Sequence, residues 1–118
     1  MSLDFYDQHG APIAYSDDGE HIYTFGGRPV GYLSGGSIYG YSGKHLGQFE
    51  NGLIRDKAGN VALFSQECSG GPIKPIKQIK PIKGIKQVRP IKGIKQIEPI
   101  KPISTLGWSV LSGEQFFG

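Results

Sequence analysis

Pro72-Ile73-Lys74-Pro75-Ile76-Lys77-Gln78-Ile79-Lys80 opens a run of 33 residues that continues to Ser104 in units of x-Ile-Lys. Val88 replaces one Ile, Arg89 and Glu98 replace two Lys, and Ser104 ends the run at a third Lys position, so eleven apolar positions from Ile73 to Ile103 keep one strict register. A strand would send successive isoleucines to opposite faces, and an α-helix would rotate them by about 60° per triplet. Six prolines in the run also forbid a regular helix. A three-fold screw of the polyproline II kind aligns every Ile on one edge and every Lys on another. An edge of eleven aliphatic side chains is expected to need shelter from water.

A longer period lies over the triplets. Pro72, Pro81, Pro90 and Pro99 are nine apart, and Pro75, Gly84, Gly93 and Pro102 follow them by three. The run is therefore four nonapeptides, the last cut to six residues at Ser104. Fully drawn out it would extend roughly 100 Å at ~3.1 Å per residue, far more than the ~35–40 Å width of a compact domain of this size. That favours folding onto the rest of the chain over projection into solvent.

The residues before it carry a different repeat with the same copy number. Gly10, Gly27, Gly43 and Gly59 are spaced 17, 16 and 16 apart. Phe5, Ile22, Ile38 and Ile54 stand five residues before them, and Ile13, Val30, Leu46 and Ala62 three after. Asp18-Gly19, Gly35-Gly36 and Asn51-Gly52 mark further turns between copies, of the kind that tolerate positive φ in two-residue hairpins. Short stretches rich in Tyr, Phe, Ile and Val lie between the turns and predict eight short strands in four hairpins. The fold expected is all-β: four hairpin repeats in a pseudo-fourfold, flower- or propeller-like arrangement packed with the period-3 segment. It forms one domain over 1–118, with hairpins in 1–71, triplets in 72–104, and a last strand plus aromatic cap in 105–118.

Gly10-Ala11-Pro12-Ile13-Ala14-Tyr15, Ser42-Gly43-Lys44-His45-Leu46-Gly47, Ser69-Gly70-Gly71-Pro72, the triplets and the ending Leu111-Ser112-Gly113-Glu114-Gln115-Phe116-Phe117 resemble the four-fold beta flower domain, a small bacterial family of unknown function. The resemblance implies four petals around an axis and covers nearly the whole chain. It implies no activity and supplies no catalytic or ligand residues.

Charge is divided unevenly. Residues 1–71 carry a net −4, and residues 72–104 a net +8, within an overall +3. Either the two halves neutralise each other by packing, or the basic half faces an anionic partner. The candidate anion-binding residues are Lys74, Lys77, Lys80, Lys83, Lys86, Arg89, Lys92, Lys95 and Lys101. Against nucleic acid stand the absence of aromatics among them to stack bases and the scarcity of arginine. An anionic polymer or membrane surface fits the same row.

Catalytic patterns are missing. His9, His21 and His45 fall at non-equivalent repeat positions, and no His-x-x-x-His or Cys-x-x-Cys pair points to zinc. Cys68, the single cysteine, cannot form an internal disulfide and shows no neighbouring base. The cluster Asp4, Asp7, Asp17, Asp18 and Glu20 lacks EF-hand spacing and reads as turn chemistry and attraction to the lysines. No Gly-rich stretch has the Lys-Ser/Thr of a phosphate loop. The expectation is a non-enzyme without metal or cofactor, cytoplasmic, with neither signal peptide nor transmembrane run. The leading reading is a structural or protein-interaction module, with an unknown protein partner or self-association. Its contacts would be exposed tyrosines: Tyr15, Tyr32, Tyr39 and Tyr41, with Tyr6 and Tyr23. The alternative is an anion-binding module acting through the lysine row.

Overall fold

Each repeat glycine closes a tight turn, and the flanking β-branched and aromatic residues pair across it. The computed structural model describes residues 2–118. Its strands are β1 (Leu3–Tyr6), β2 (Pro12–Ser16), β3 (His21–Thr24), β4 (Pro29–Ser34), β5 (Ser37–Tyr39), β6 (His45–Glu50), β7 (Leu53–Arg55) and β8 (Val61–Ser65). Neighbours in sequence are neighbours in space, all antiparallel, and β8 returns to β1. Four up-and-down hairpins thus close into an eight-stranded barrel and leave no free sheet edge.

The copies agree in detail. Phe5 pairs with Ala14, Ile22 with Gly31, Ile38 with Gly47 and Ile54 with Leu63. In every hairpin the register then slips by one residue immediately after that apolar residue. Four equivalent bulges bend four hairpins alike, which is how a short barrel gains its petals. Phe5, Ile22, Ile38 and Ile54 are fully buried in one core cluster with Leu3, Ala14, Val30, Ala62 and Leu63.

The chain's end completes that core. Phe116 is buried in the same cluster and Phe117 packs against it, the two rings meeting edge to face at 5.2 Å. Gly31 and Gly47 leave the room: a β-carbon on Gly47 would lie 3.0 Å from the Phe116 ring, and one on Gly31 3.6 Å from Phe117. The expected aromatic cap is therefore present, carried by a 3-10 turn at Glu114–Phe117. The expected last strand is reduced to one parallel bridge between Trp108 and Val61.

The triplet run wraps the barrel. It has no regular secondary structure by hydrogen bonding, yet it is anchored at one hairpin turn after another. The backbone N–H groups of Gln78, Gln87, Gln96 and Thr105 donate to the carbonyls of Gly10, Gly27, Gly43 and Gly59, at 2.8–3.2 Å. These four donors are nine apart and the four acceptors are the repeat glycines, so each nonapeptide docks on one petal. Gly84 and Gly93 add bonds to the Phe25 and Tyr41 carbonyls at 2.7 Å. The molecule is a disc of 36 × 36 × 24 Å. A segment roughly 100 Å long is close to the ~110 Å rim of a disc 36 Å across. One turn of belt matches one turn of petals.

The expectation that the isoleucine edge is sheltered is overturned. Ile73, Ile76, Ile79, Ile82, Ile85, Val88, Ile91, Ile94, Ile97, Ile100 and Ile103 are 89–98% exposed. All eleven side chains face solvent. They face away from the barrel because the Gln and Gly residues that open five of the triplets supply the docking hydrogen bonds, and because most of the lysines reach the aromatic and acidic wall.

Candidate functional site

The outer wall of the barrel is built from pairs of large side chains between petals. Tyr15 pairs with Tyr23, Tyr32 with Tyr39 and Phe64 with Tyr6, at ring-centroid distances of 6.0, 5.8 and 5.5 Å. The fourth sector holds Gln48 opposite Arg55 instead. Tyr6, Tyr15, Tyr23, Tyr32, Tyr39 and Tyr41 are all at most 8% exposed. The expectation of an exposed tyrosine rim is therefore corrected: Tyr15, Tyr32, Tyr39 and Tyr41 are wall, and the belt covers them.

The lysines do the covering. Lys83 stands 4.2 Å from the Tyr15 ring centre and Lys92 4.3 Å from that of Tyr32. Lys86 lies 5.2 Å from Tyr23, Lys95 5.6 Å from Tyr39 and Lys77 6.0 Å from Phe64. A cation over an aromatic face is worth about 0.5–2 kcal/mol depending on exposure, and the aliphatic stem adds cover over the ring. The ammonium groups then reach the acids of the strand ends and intervening turns. Lys80 meets Asp4 at 2.8 Å, Lys83 and Lys86 share Asp17 at 3.2 and 2.8 Å, and Lys92 meets Glu20 at 3.1 Å. Lys101 pairs with Glu50. Lys95 donates to Ser34 Oγ at 2.9 Å, and Lys74 to the Gly70 carbonyl. The plain reading of the charge asymmetry is the one the geometry shows: the basic segment spends most of its cations on the acidic barrel.

Titration follows from these pairs. The hydrogen bond from Lys86, with Lys83 beside it, holds the Asp17 carboxyl below its ordinary value. The same bond raises Lys86, and the bond to Asp4 raises Lys80. Desolvation works to raise Asp18, but bonds from the His21 ring and from the His21 and Glu20 backbone pull it well below the carboxylate range. Burial pushes Tyr41 up to about 12. Arg89, held by the Tyr23 hydroxyl at 3.3 Å, is raised by that bond.

Departures from the triplet pattern have local causes. Glu98 takes a Lys position where the barrel offers Ser37 and His45 in place of Asp4. Ser37 Oγ donates to Glu98, and His45 Nε2 lies 3.1 Å from the same hydroxyl. Ser37 is fully buried and His45 is 2% exposed. The carboxylate contacts the serine and not the histidine, so the trio lacks the carboxylate–imidazole–hydroxyl order of an activated nucleophile. Burial lowers the pKa of His45. Ser104 takes a Lys position in the sector without an aromatic pair and donates to Glu50 at 3.1 Å. Arg55, standing where other repeats have Tyr, clamps the belt's end by donating to the Gly59 and Thr105 carbonyls at 2.6 and 2.8 Å.

The remaining candidates are dispersed. His9 is exposed in a turn, His21 bonds Asp18 at 2.7 Å, and Cys68 is half-buried. Among the described residues no cluster of three or more His, Cys, Asp or Glu is arranged to hold a metal, and no helix is long and apolar enough to cross a membrane. Two hollows stand out among the described residues. One lies beneath the belt between Glu20, Tyr32, Lys92 and Lys95, and the other beside the cap between Leu46, Lys57, Leu111 and Phe116.

The pattern of four petals bound by a belt of four nonapeptides is the decisive observation, and a comparison with family models agrees with it. The model of the 4-fold beta flower protein matches residues 3–117. This chain belongs to that family. The four-fold beta flower is thus, in this member, a closed barrel held in an extended belt. No curated protein and no solved structure matches the chain. The surface feature that sequence reasoning missed is the isoleucine edge. A signal for it existed: Phe5, Ile22, Ile38, Ile54 and the aromatic end already fill the barrel, leaving no apolar surface for eleven more side chains.

Proposed function

We propose that this flower is a non-catalytic interaction module whose contact surface is the isoleucine edge of the belt. The observation that carries the reading is the 89–98% exposure of all eleven aliphatic side chains. Burying one such side chain is worth about 1.5–3 kcal/mol, equivalent to some 60–120 Å² at ~25 cal/mol per Å². Eleven of them make an apolar surface of roughly 700–1,300 Å² in all, distributed around the belt's circuit. Their backbone packs on the barrel, but their side chains lie almost wholly in solvent, so docking does not itself call for aliphatic side chains there. Contact with another apolar surface is a physical reason for keeping them so.

The lysine row supports an anion-binding reading less well. Lys80, Lys83, Lys86, Lys92 and Lys101 each meet a carboxylate of the same molecule. A polyanion would have to displace those acids to use these five, which leaves Lys74, Lys77, Lys95 and Arg89 as the cations that meet no carboxylate.

Paired chromatography separates the two readings. The folded protein is expected to bind a phenyl matrix in ammonium sulfate and to elute from heparin below physiological salt. Replacing Ile82, Ile91 and Ile100 by Gln is expected to abolish the phenyl retention. Salt-sensitive heparin retention, with phenyl behaviour indifferent to those replacements, would establish the lysine row as the working surface instead.

A further inference from the structure

We infer that the end of the barrel ringed by the belt is a docking face for a bilayer surface that carries anionic lipid headgroups. The inference rests on the interaction reading above and names its partner. Three observations carry it.

The first is polarity along the barrel axis. The turns of an up-and-down barrel alternate between its two ends, so the four hairpin turns at Gly10, Gly27, Gly43 and Gly59 lie together at one end. The belt docks on the carbonyls of those four glycines and therefore rings that end. The segment after it stays there. Thr105 donates to the Asn60 side chain, Ser109 to Asp56, and the Gln8 N–H to the Ser112 hydroxyl. Every exposed large hydrophobic side chain among the described residues belongs to these two segments, Leu106, Val110 and Leu111 joining the belt's eleven. The connections at the opposite end carry Asp17, Asp18, Glu20 and Glu67, and no lysine or arginine of their own.

The second is charge. The belt's net +8 is answered by Asp4, Asp17, Glu20 and Glu50 of the barrel, so the circuit stays positive. Lys74, Lys77, Arg89 and Lys95 meet a carbonyl, an aromatic face and two hydroxyls in place of carboxylates. Lys44 and Lys57 add to them. They stand exposed in two of the turns that the belt encircles, in no ion pair among the described residues. The acids at that end are engaged: Asp7 and Asp56 accept from backbone N–H groups, and Glu114 pairs with Arg28. Uncommitted cations and exposed aliphatics thus share one end of the molecule. An anionic headgroup layer over acyl chains is the surface with both complementary chemistries.

The third is distribution. A protein partner draws most of its binding energy from a few residues clustered near the centre of the contact. Here the aliphatics recur every third residue around the circuit, with no cluster among them. Even spacing suits a surface that is alike in every in-plane direction. A plane facing the belt end approaches all four nonapeptides together, since all four dock on turns at that end.

Binding at such a surface scales with the apolar area inserted plus the attraction of cations to anionic headgroups, so each aliphatic that enters the headgroup boundary adds to it. The two contributions act together here because Lys74, Lys77, Arg89 and Lys95 each adjoin an exposed Ile or Val in the chain. The acidic connections of the far end then stand in water, away from headgroups that would repel them.

The test is co-sedimentation of the whole chain with vesicles of phosphatidylcholine alone and of phosphatidylcholine with about 30% phosphatidylserine. The wild type is expected to bind the phosphatidylserine vesicles at least tenfold more tightly, and to weaken as salt rises from about 0.05 to 0.5 M. The variant carrying Ile82→Gln, Ile91→Gln and Ile100→Gln, whose side chains are 96–98% exposed, is expected to bind at least tenfold more weakly. Lys44→Gln with Lys57→Gln is expected to weaken binding roughly 25-fold, at about fivefold per cation near the surface. Glu67→Gln, at the far end, is expected to leave it unchanged. Melting curves check that each variant folds as the wild type does. Failure to bind phosphatidylserine vesicles at low salt overturns the inference. So does binding that is equal on phosphatidylcholine alone, or that survives the isoleucine replacements. A protein that ignores vesicles but is held on the phenyl matrix through its isoleucines keeps the interaction reading and assigns the edge to a protein partner. One that binds neither vesicles nor the phenyl matrix ends both.

Discussion

Gly84 and Gly93 carry a requirement that no backbone angle imposes on them. Neither has positive φ, so a side chain would be tolerated locally. A β-carbon on Gly84 would overlap the Gly26 carbonyl, and one on Gly93 the Ser42 carbonyl. Their N–H groups bond the Phe25 and Tyr41 carbonyls. The repeat glycines facing them are doubly constrained, as Gly27 shows. It has φ +101°, and a β-carbon there would overlap the Ile85 carbonyl. Gly84→Ala is therefore a clean probe of belt docking, expected to lower unfolding free energy by about 1–3 kcal/mol, the range for forcing extra volume into a packed contact. Ile82→Ala, two residues away with its side chain in water, is expected to change it by no more than ~0.5 kcal/mol. Urea unfolding measures both, and equal effects would contradict the docking geometry. The glycines were visible as spacing in the sequence. Their reason was not, because it lies in a distant segment of the chain, Gly84 meeting Gly26 and Gly93 meeting Ser42.

The third hairpin, β5 with β6, shows how one element adjusts to the belt above it. Its Ser37 and His45 form a buried polar pair that meets Glu98, and Gln96 accepts from the His45 backbone at 2.9 Å. The His45 ring packs edge-on against Tyr39 at 5.3 Å. The charged groups facing His45 are Glu98, which raises its pKa, and Lys57, which lowers it. Burial outweighs both and lowers it. With the native value below the unfolded one, the unfolded chain binds the extra proton. Stability is thus full above the ordinary histidine value near 6.5 and declines as pH falls through the native pKa. His45→Gln is expected to flatten that decline below about pH 6.5, above the range where the lowered Asp17 and Asp18 titrate. Thermal melts at half-unit steps would show it; an unchanged slope would place the pH sensitivity elsewhere. The hairpins themselves were legible from turn glycines and apolar spacing. The polar pair was not, because Glu98 reads as a break in the triplets until its partner is in view.

The molecule as a whole is two repeats of equal copy number, one inside the other. Equal counts and opposite charge in the sequence announced that each petal meets one nonapeptide. Period three predicted that the isoleucines behave alike, and all eleven do face solvent. It could not tell which edge of a three-edged strand turns inward, and the hydrophobic expectation chose wrongly. The barrel's interior was already filled by its own aliphatics and the Phe116–Phe117 end. Its exterior was lined with tyrosine and acid, a surface suited to lysine. The tyrosines therefore lie under the belt as wall, and the apolar edge faces outward as a surface free to be covered.

Amide hydrogen exchange along residues 72–105 tests this architecture most directly. The amides of Gln78, Gly84, Gln87, Gly93, Gln96 and Thr105 donate to the petals. They are expected to be protected far above the Ile and Lys amides between them, in a pattern that repeats every nine residues. Uniformly fast exchange from Ile73 to Ile103 would mean that no belt is bound to the barrel, and would contradict the account.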